Sequence, residues 1–506
     1  MNRRMRSHAV SFLLVISILA LRPIAPVWGD EPGKSGKSSV YVILWFDTED
    51  YLLPADDDAT LRISEFLTRE GIRCTHKLVG EKARVLEKRK RTDVIAALKK
   101  HEIGYHSDFH SVQPTPALFM SRQGWDDGVA EFDRRERQGM LDVERITGQK
   151  PSCYGQPGSS WGPQQFGAMR QWGMPVYLDA GSHVKLDGDP FWYCGILNLY
   201  ALKATLRTNL GGSQDLEEAK KRFEKAYREL LSEGGGPMSI YYHPCEFVHK
   251  QFWDGVNFSK GANPPRGEWK IPPQKSAEES RVAYETFEDY IRFIKSHPNV
   301  QFVTAREALQ LYGDQAKGHE FSTAELQKIA AGVQAEIGHQ ELGGMSLSPS
   351  EIFDLLNQFV LLRTRGESAS KLKLSEPPFG PTQAPPEHGE LTTSRSQFER
   401  TVNDVAGYVN RHGRIPNAVW LGSTPISPES YLRSLATAAA TLANGDSLPD
   451  SIAFAPARLD SAKFVSEDNA KLWGWVIFPP DFRAPEMMQL AKRQAWTLKP
   501  ARLSRR

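Results

Sequence analysis

The sequence contains little cysteine and almost no net charge, and both shortages narrow the kinds of protein it can encode. Among 506 residues there are 4 cysteines, and none stands in a Cys-x-x-Cys pair, which argues against a thiolate zinc site. These cysteines are expected to be buried free thiols or to include one disulfide. The formal net charge is +2, so neither a nucleic-acid-binding surface nor a strongly charged membrane-binding face is expected.

Long hydrophobic runs are equally scarce. The one candidate extends from Ala9 to Leu21, follows a cluster of arginines, and is followed by small residues that end at Gly29. This pattern is typical of a secretory signal peptide covering residues 1–29, and the apolar run is too short for a comfortable membrane span. We therefore expect an exported protein, secreted or held in the periplasm or cell envelope, without an integral membrane span. A retained N-terminal anchor is the alternative.

From residue 39 to residue 313, short apolar runs alternate with amphipathic segments. Residues 40–46 are almost wholly apolar, as a strand buried on both faces should be. The alternation predicts an α/β fold with a parallel sheet, open or closed into a barrel, whose chemistry lies at the carboxyl ends of the strands. Further strands are predicted at 72–77, 102–105, 174–178, 238–242 and 300–303, and helices at 58–70, 92–100, 121–147, 164–172, 214–233 and 277–296.

After residue 313 the sequence becomes mainly helical. Residues 320–365 predict a helical segment, residues 376–390 are rich in proline and predict a linker or long loop, and residues 396–500 predict a helical and aromatic C-terminal domain. Aromatic residues near its end could line a glycan surface, although packing in a core is the simpler interpretation. They are Trp473, Trp475, Phe478, Phe482 and Trp496.

Histidines and acids follow two of the predicted strands. His106 and His110 are four residues apart, so a helix beginning near His106 would place both imidazoles on one face, where they could bind one metal ion. Asp47 and Glu49 would share a face at the end of the first strand, one binding metal and the other acting as base, whereas Asp50 would point away unless the strand has ended. Taken singly, the histidines could be helix-surface residues and the acids a surface loop.

Together with three later segments, these motifs resemble the polysaccharide deacetylase family, which has NodB homology and forms carbohydrate esterase family 4. The later segments are Tyr-Gly-Gln-Pro-Gly-Ser-Ser-Trp at 154–161, Leu-Asp at 178–179 and Ile-Tyr-Tyr-His at 240–243, in the family's motif order. The resemblance implies a distorted (β/α) barrel and a divalent metal, usually zinc, bound by two histidines and a carboxylate. It also implies hydrolysis of acetyl amides or esters on a cell-envelope or extracellular polysaccharide such as a peptidoglycan-like polymer.

The resemblance assigns the metal ligands by position. His106 and His110 would be the histidine ligands. The family's usual aspartate ligand position is occupied by Thr48, so we expect Glu49 to supply the carboxylate, with Asp50 as the alternative.

The same resemblance assigns the groups that move protons. Asp47 would be the general base and His243 the general acid. A backbone N–H of Tyr154 or Gly155 would stabilise the oxyanion. Asp179 would support His243 or His183, or would cap a loop.

One departure from the family pattern concerns the third motif. The arginine that normally orients the base is replaced by Gly155, and Lys77, His76 and His183 are the candidate substitutes. This departure leaves two alternatives open, a small-molecule C–N amidohydrolase of the same superfamily and a catalytically inactive envelope-binding protein.

A second resemblance concerns the C-terminal region. Residues 405–438 resemble pseudomurein-binding repeats, which implies attachment to a cell-envelope polymer. A plain helical hairpin with a turn shaped by Gly413 and Pro416 is the competing interpretation.

Overall fold

A curved sheet organises the first part of the chain and continues to its last strand. The computed structural model describes residues 38–374 and 376–504, so the predicted signal peptide lies outside the described residues. The strands of the described residues are β1 Val40–Thr48, β2 Thr75–Leu78, β3 Glu102–Tyr105, β4 Cys153–Tyr154, β5 Val176–Leu178, β6 Phe191–Tyr193, β7 Ile196–Leu199, β8 Thr205–Leu206, β9 Gly236–Tyr242, β10 Val300–Val303, β11 Glu320–Ser322, β12 Glu336–Ile337, β13 Gln340–Leu342, β14 Met345–Leu347, β15 Lys371–Lys373, β16 Leu391–Ser394, β17 Val419–Leu421, β18 Thr424–Ile426, β19 Ser451–Phe454, β20 Arg458–Leu459 and β21 Lys499–Pro500.

Helices connect most of these strands and cover the sheet. The α-helices of the described residues are α1 Pro54–Arg69, α2 Gly80–Lys88, α3 Thr92–Leu98, α4 Pro116–Met120, α5 Trp125–Thr147, α6 Gln164–Trp172, α7 Ser213–Ser232, α8 Trp253–Asn257, α9 Ala277–Lys295, α10 Ala305–Leu311, α11 Thr323–Gly332, α12 Pro349–Thr364, α13 Arg395–His412, α14 Pro428–Ala443 and α15 Pro485–Gln494. Short 3-10 turns occur at Pro244–Phe247, Ser259–Gly261, Arg266–Glu268, Asp460–Phe464 and Ala495–Thr497.

Strand β1 lies at the centre of the sheet because its apolar residues are buried on both faces. It pairs in parallel with β9 along one edge, and with β10 and then β2 along the other. The main path runs β8-β9-β1-β2-β3-β4-β5-β7-β6-β21, and only β6 and β21 run antiparallel to their neighbours. The fold is therefore mixed α/β, with a curled half-barrel sheet followed by a mainly helical region, as the sequence predicts.

The C-terminal region contains two copies of one unit. In each copy a strand leads into a helix, a hairpin with a two-residue turn, a second helix, and a strand that pairs antiparallel with the first. The first copy is β11-α11-β13-β14-α12-β15 and the second is β16-α13-β17-β18-α14-β19. Helix α11 packs on α14 and α12 packs on α13, so the copies share one hydrophobic core. This duplication was not predicted from the sequence.

The end of the chain packs against the sheet. Strand β21 pairs with β6, and Trp473 and Met487 lie in the same hydrophobic core as residues of β3 and α5. The predicted boundaries at 313, 376–390 and 396 stay predictions. All 4 cysteines are buried free thiols. Among the described residues, no helix combines the length and the hydropathy needed to span a bilayer.

Candidate active site

The carboxyl ends of β1, β3 and β9 bring together the side chains proposed from the sequence. Asp47, near the end of β1, and Glu49, just after it, point into one site, where His106, His110 and His243 also lie. Each of these five residues is less than 10 % exposed. The parallel pairing of β1 with β9 explains the approach of His243, because parallel strands end at the same edge of a sheet.

The two histidines meet through a loop, which corrects the expected helix near His106. Residues 106–110 contain no helix. Instead, Ser107 and His110 adopt left-handed backbone conformations, with φ values of 66° and 58°. The Ser107 hydroxyl accepts a hydrogen bond from the His110 backbone N–H at 3.1 Å, which closes the loop. The spacing therefore predicted that the two imidazoles lie close together, but through a helix rather than the observed loop.

The imidazoles are oriented as metal ligands usually are. The Nδ1 of His106 donates to the Gly155 carbonyl at 2.9 Å, and the Nδ1 of His110 lies 2.7 Å from the Ser111 hydroxyl. Both Nε2 atoms are buried and without a hydrogen-bond partner, and they lie 3.6 and 2.9 Å from the Glu49 Oε2. Two imidazole nitrogens and one carboxylate oxygen form a donor set that suits zinc, and the Gly155 carbonyl, which can only accept, fixes the tautomer of His106.

Burial and charge act in opposite directions on these ligands. Burial alone would raise the pKa of Glu49, but His110 and His243 outweigh it and hold that pKa well below its usual range. Burial lowers the pKa of His106, and the attraction of Asp47 does not compensate. Glu49 is therefore ionised and His106 neutral near neutral pH, as cation binding requires, whereas burial would lower the pKa of His110 but Glu49 raises it, so a cation would have to displace a proton there.

A buried lysine occupies the place next to the proposed base. The Lys77 ammonium on β2 lies 2.9 Å from the Asp47 Oδ1 and donates to the Asp179 Oδ2 at 2.6 Å. Burial would lower the pKa of Lys77, but Asp179 and Asp47 raise it, so the lysine stays charged. Burial would raise the pKa of Asp47, but His106 and Lys77 lower it.

The geometry around Gly155 explains why no arginine stands there. A Cβ at this position would lie 2.1 Å from the Lys77 Nζ, 2.5 Å from the Asp179 Oδ2 and 2.5 Å from the Leu178 carbonyl oxygen. No side chain fits in that space. Of the three candidate substitutes for the arginine, only Lys77 reaches Asp47. His76 binds Thr48 and Ser64.

The other supporting residues lie in different places from those expected. Asp179 pairs with Lys77 rather than with His243 or His183, and the Nδ1 of His183 instead bonds to a tyrosine hydroxyl. The Gly155 N–H donates to the Tyr105 carbonyl, so it cannot stabilise an oxyanion. The Tyr154 side chain is fully buried among aromatic rings.

The Asp50 carboxylate lies outside the site. Its Oδ1 accepts a hydrogen bond from the Leu52 N–H at 2.9 Å, and its Oδ2 faces His249 at 3.4 Å. Strand β1 ends at Thr48, so the chain has turned by Asp50 and presents this carboxylate to another cluster. Glu49 is thus the carboxylate that lies beside His106 and His110.

Glu246, the hydrogen-bond partner of His243, was not predicted from the sequence. The Glu246 carboxylate accepts two hydrogen bonds from His243, one from its backbone N–H at 2.8 Å and one from its ring Nδ1 at 2.9 Å. Burial would lower the pKa of His243, but Glu246 and Glu49 raise it to about 9. The acid three residues after the histidine, at the start of a helical turn, is a capping-box pattern that could have signalled this contact.

Comparisons with known proteins reveal distant structural likeness. No protein-family model and no curated protein matches the sequence. A protein described as a polysaccharide deacetylase from Mycobacterium smegmatis aligns with a TM-score of 0.36 and 13 % identity, over 57 % of this chain and 93 % of that one. PuuE allantoinase aligns with a TM-score of 0.36 and 16 % identity, over 56 % and 94 %. A CE4 family pseudoenzyme from Bacillus anthracis aligns with a TM-score of 0.29 and 12 % identity, over 53 % and 65 %. At these values the likeness identifies no family.

A cavity of about 610 Å³ opens over the site and is lined by Asp47, Glu49, His110 and His243. Its walls include Tyr241, Phe252 and Arg207, together with Trp475 from the C-terminal region. The Trp475 indole N–H donates to Asp254 at 2.6 Å, and its ring contacts His110 edge to face. The C-terminal region therefore supplies one wall of the site. From the sequence, Trp475 was only one of several aromatic residues that could line a binding surface.

Proposed function

We propose that the chain is an exported, metal-dependent hydrolase that removes acetyl groups from the amide or ester positions of a cell-envelope or extracellular polysaccharide. The observation that carries the proposal is the approach of the Glu49 Oε2 to two buried imidazole nitrogens without a hydrogen-bond partner, His106 Nε2 and His110 Nε2, beside a carboxylate that is held by a buried lysine. A divalent cation bound there, zinc by its donor set, would polarise an acyl carbonyl and lower the pKa of water.

Asp47 is the proposed general base. Its Oδ1 is fixed by Lys77 and its carboxylate lies next to the metal ligands, 3.4 Å from the His106 Nδ1. The lowered pKa keeps it ionised and able to accept a proton from the attacking water. Lys77 also keeps the carboxylate from rotating away, because its ammonium is anchored on the other side by Asp179.

His243 is the proposed general acid. Its Nε2 lies 3.5 Å from the Asp47 Oδ2, so acid and base face the same cavity. Glu246 holds the Nδ1 side of the ring and raises the pKa of His243, which leaves the Nε2 proton available for the departing amine or alcohol at neutral pH. Two groups with pKa values shifted in opposite directions suit this division of roles.

The substrate class is proposed on the motif resemblance and on the walls of the cavity. Phe252 and Trp475 line the cavity with aromatic side chains on which a sugar ring could pack, and Arg207, which is paired with Glu246, lines it as well. Trp161 and Trp192, by contrast, are buried in the core. Export is proposed on the basic and apolar N-terminal sequence alone.

A small-molecule amidohydrolase is the second candidate. Trp475 and Val476 of the C-terminal region line the cavity, and a polymer chain would have to pass these side chains whereas a small amide would not. Acetate release from acetylated glycans, measured beside ammonia or amine release from a panel of small amides, distinguishes the two. Attachment of the C-terminal region to an envelope polymer is a separate proposal, tested by sedimentation with isolated cell walls.

The test of the chemistry is Asp47→Asn. Because asparagine cannot accept the proton, turnover should fall by about 10²–10⁴-fold while zinc content stays unchanged. Asp58→Asn, an exposed acid on α1, is the matched control and should keep full activity. Unchanged turnover in Asp47→Asn would remove the base from the scheme, and a zinc-free wild-type protein without activity would support an inactive envelope-binding protein instead.

A further inference from the structure

A second group of buried acids lies immediately behind the proposed active site. Asp50, Asp56 and His249 are 2 %, 1 % and 3 % exposed, and one donor atom from each lies within 4.8 Å of the others. Asp50 arrives from the end of β1, Asp56 from the first turn of α1, and His249 from the segment after β9. The cluster takes no part in the chemistry described above.

The donor atoms of this cluster have no hydrogen-bond partner in the described part of the chain. They are the Asp50 Oδ2, both carboxylate oxygens of Asp56, and both ring nitrogens of His249. The His249 Nδ1 lies 3.4 Å from Asp50 and its Nε2 lies 3.7 Å from Asp56, too far for good hydrogen bonds. Buried polar groups nearly always have a hydrogen-bond partner. A cluster of atoms without one therefore points to a bound occupant.

The nearby basic side chains are already committed elsewhere. Lys82 donates to the Asp57 carboxylate and to the Asp50 backbone carbonyl, and Arg89 donates to the other Asp57 oxygen. Within the described residues, His249 is the only basic group within 4.0 Å of the Asp50 or Asp56 carboxylate. Two buried carboxylates therefore face a single imidazole, and a positively charged occupant, either a metal ion or a proton, would balance them.

We propose that Asp50, Asp56 and His249 bind a second divalent cation. Two carboxylates and one imidazole form a donor set that suits zinc or manganese. His249 also lines a cavity of about 190 Å³ together with Lys250 and Lys275. Since Glu49 and Asp50 are consecutive, this cation would fix the end of β1 and with it the carboxylate of the first site.

A proton is the competing occupant. Burial and the neighbouring Asp50 raise the pKa of Asp56 well above its usual value, so the acids could share a proton instead. Metal content distinguishes the two occupants, because Asp56→Asn removes a ligand but preserves the size and the neutral charge of a protonated acid. This inference does not depend on the proposed function.

The experiment measures zinc per chain in the full-length protein, freed of metal by a chelator, reloaded with Zn²⁺ and desalted. With both sites filled, we expect about two zinc ions in wild type, about one in Asp56→Asn or His249→Gln, about one in His106→Ala, and none in the double variant Asp56→Asn/His106→Ala. Asp58→Asn on the same helix is the control and should match wild type.

The outcomes separate the two proposals. Zinc content that is the same in Asp56→Asn, His249→Gln and wild type overturns the second site and assigns the cluster to a shared proton. Zinc that is lost in Asp56→Asn and retained in His106→Ala supports the second site even where the first is empty. The thermal midpoint of each variant confirms that the loss of zinc does not come from unfolding.

Discussion

At the scale of single residues, the proposed base Asp47 is paired with a buried lysine ammonium. The family-like motif lacks its arginine at Gly155, and the structure places the Lys77 ammonium in the space that a side chain there would fill. Lysine is a compact point charge, so it can serve Asp47 and Asp179 at once without the bidentate geometry of arginine. We propose that Lys77 takes over the orientation of the base from a different strand.

Lys77→Ala tests this role through pH. Without the ammonium, the pKa of Asp47 should rise, so the base stays protonated to higher pH. The acidic limb of the rate profile should then move up by about 1–3 pH units. Lys88→Ala, an exposed lysine on α2, is the control. A lower rate with an unmoved acidic limb would assign Lys77 to folding alone.

Glu246→Gln tests His243 as the general acid, through the alkaline limb of the pH–rate profile. Glu246 raises the pKa of His243 to about 9, and activity that requires protonated His243 is lost as the pH rises through that value. The neutral amide keeps an acceptor for the His243 backbone but removes the charge. The alkaline limb should therefore move about 1–2 pH units lower. Glu217→Gln on the exposed face of α7 should leave the limb in place, and an unmoved limb in Glu246→Gln would exclude His243 as the titrating acid.

At the scale of elements, the ends of strands and one distant segment build the site. The loop after β3 turns twice through left-handed conformations to bring His106 and His110 together. Residues near Trp475 reach back from the C-terminal region, and the lack of a side chain at Gly158 makes room for that indole, since a Cβ there would lie 2.2 Å from its ring. The cavity is thus assembled from parts far apart in the sequence.

Trp475→Ala tests the contribution of that segment. Removing the indole opens one wall of the cavity, so KM should rise by about 10-fold, which corresponds to about 1.4 kcal/mol, while kcat and zinc content change little. Trp420→Ala is the control because that tryptophan is 56 % exposed on β17. A proportional loss of kcat with unchanged KM would indicate that Trp475 acts on the metal ligands through His110 rather than on substrate.

At the scale of the whole molecule, the sheet and the helical region share buried surface. The C-terminal residues Trp473, Met487 and Leu498 pack in the core that also contains Tyr105 and Phe132. Strand β21 adds the end of the chain to the sheet through β6. A chain that ends at residue 313 loses all of these contacts and exposes a large apolar surface.

Truncation after residue 313 measures that dependence. The shortened chain should bind a hydrophobic dye and unfold without a sharp thermal transition, because its core is left open on one side. The full chain should show a cooperative transition under the same conditions. A sharp transition at a similar temperature in the truncated chain would mean that residues 39–313 fold as an independent domain, as the sequence predicts.

Most of the sheet could be predicted from the sequence because its central strands are continuous apolar runs. Residues 40–46 and 238–242 lie within β1 and β9, and Asp47 and Glu49 reach the same site although β1 ends at Thr48 between them. The predicted helix over 121–147 begins instead at Trp125, after the short helix α4.

What could not be predicted depends on contacts between distant segments. The partnership of Lys77 with Asp47 follows from the pairing of β1 with β2, and the wall formed by Trp475 follows from packing more than 300 residues away from His110. The duplication in the C-terminal region left only a faint trace, a Ser-Pro helix start at Ser348 and again at Ser427. Contacts between distant segments cannot be predicted from hydrophobic periodicity or from composition.

The central claim is that Glu49, His106 and His110 jointly bind one divalent cation beside Asp47. Anomalous diffraction at the zinc edge, from crystals of the zinc-loaded full chain, tests it most directly. The account predicts a peak about 2.0–2.2 Å from both Nε2 atoms and from a Glu49 oxygen. Absence of a peak at that position, in crystals where the three side chains are ordered, would contradict it.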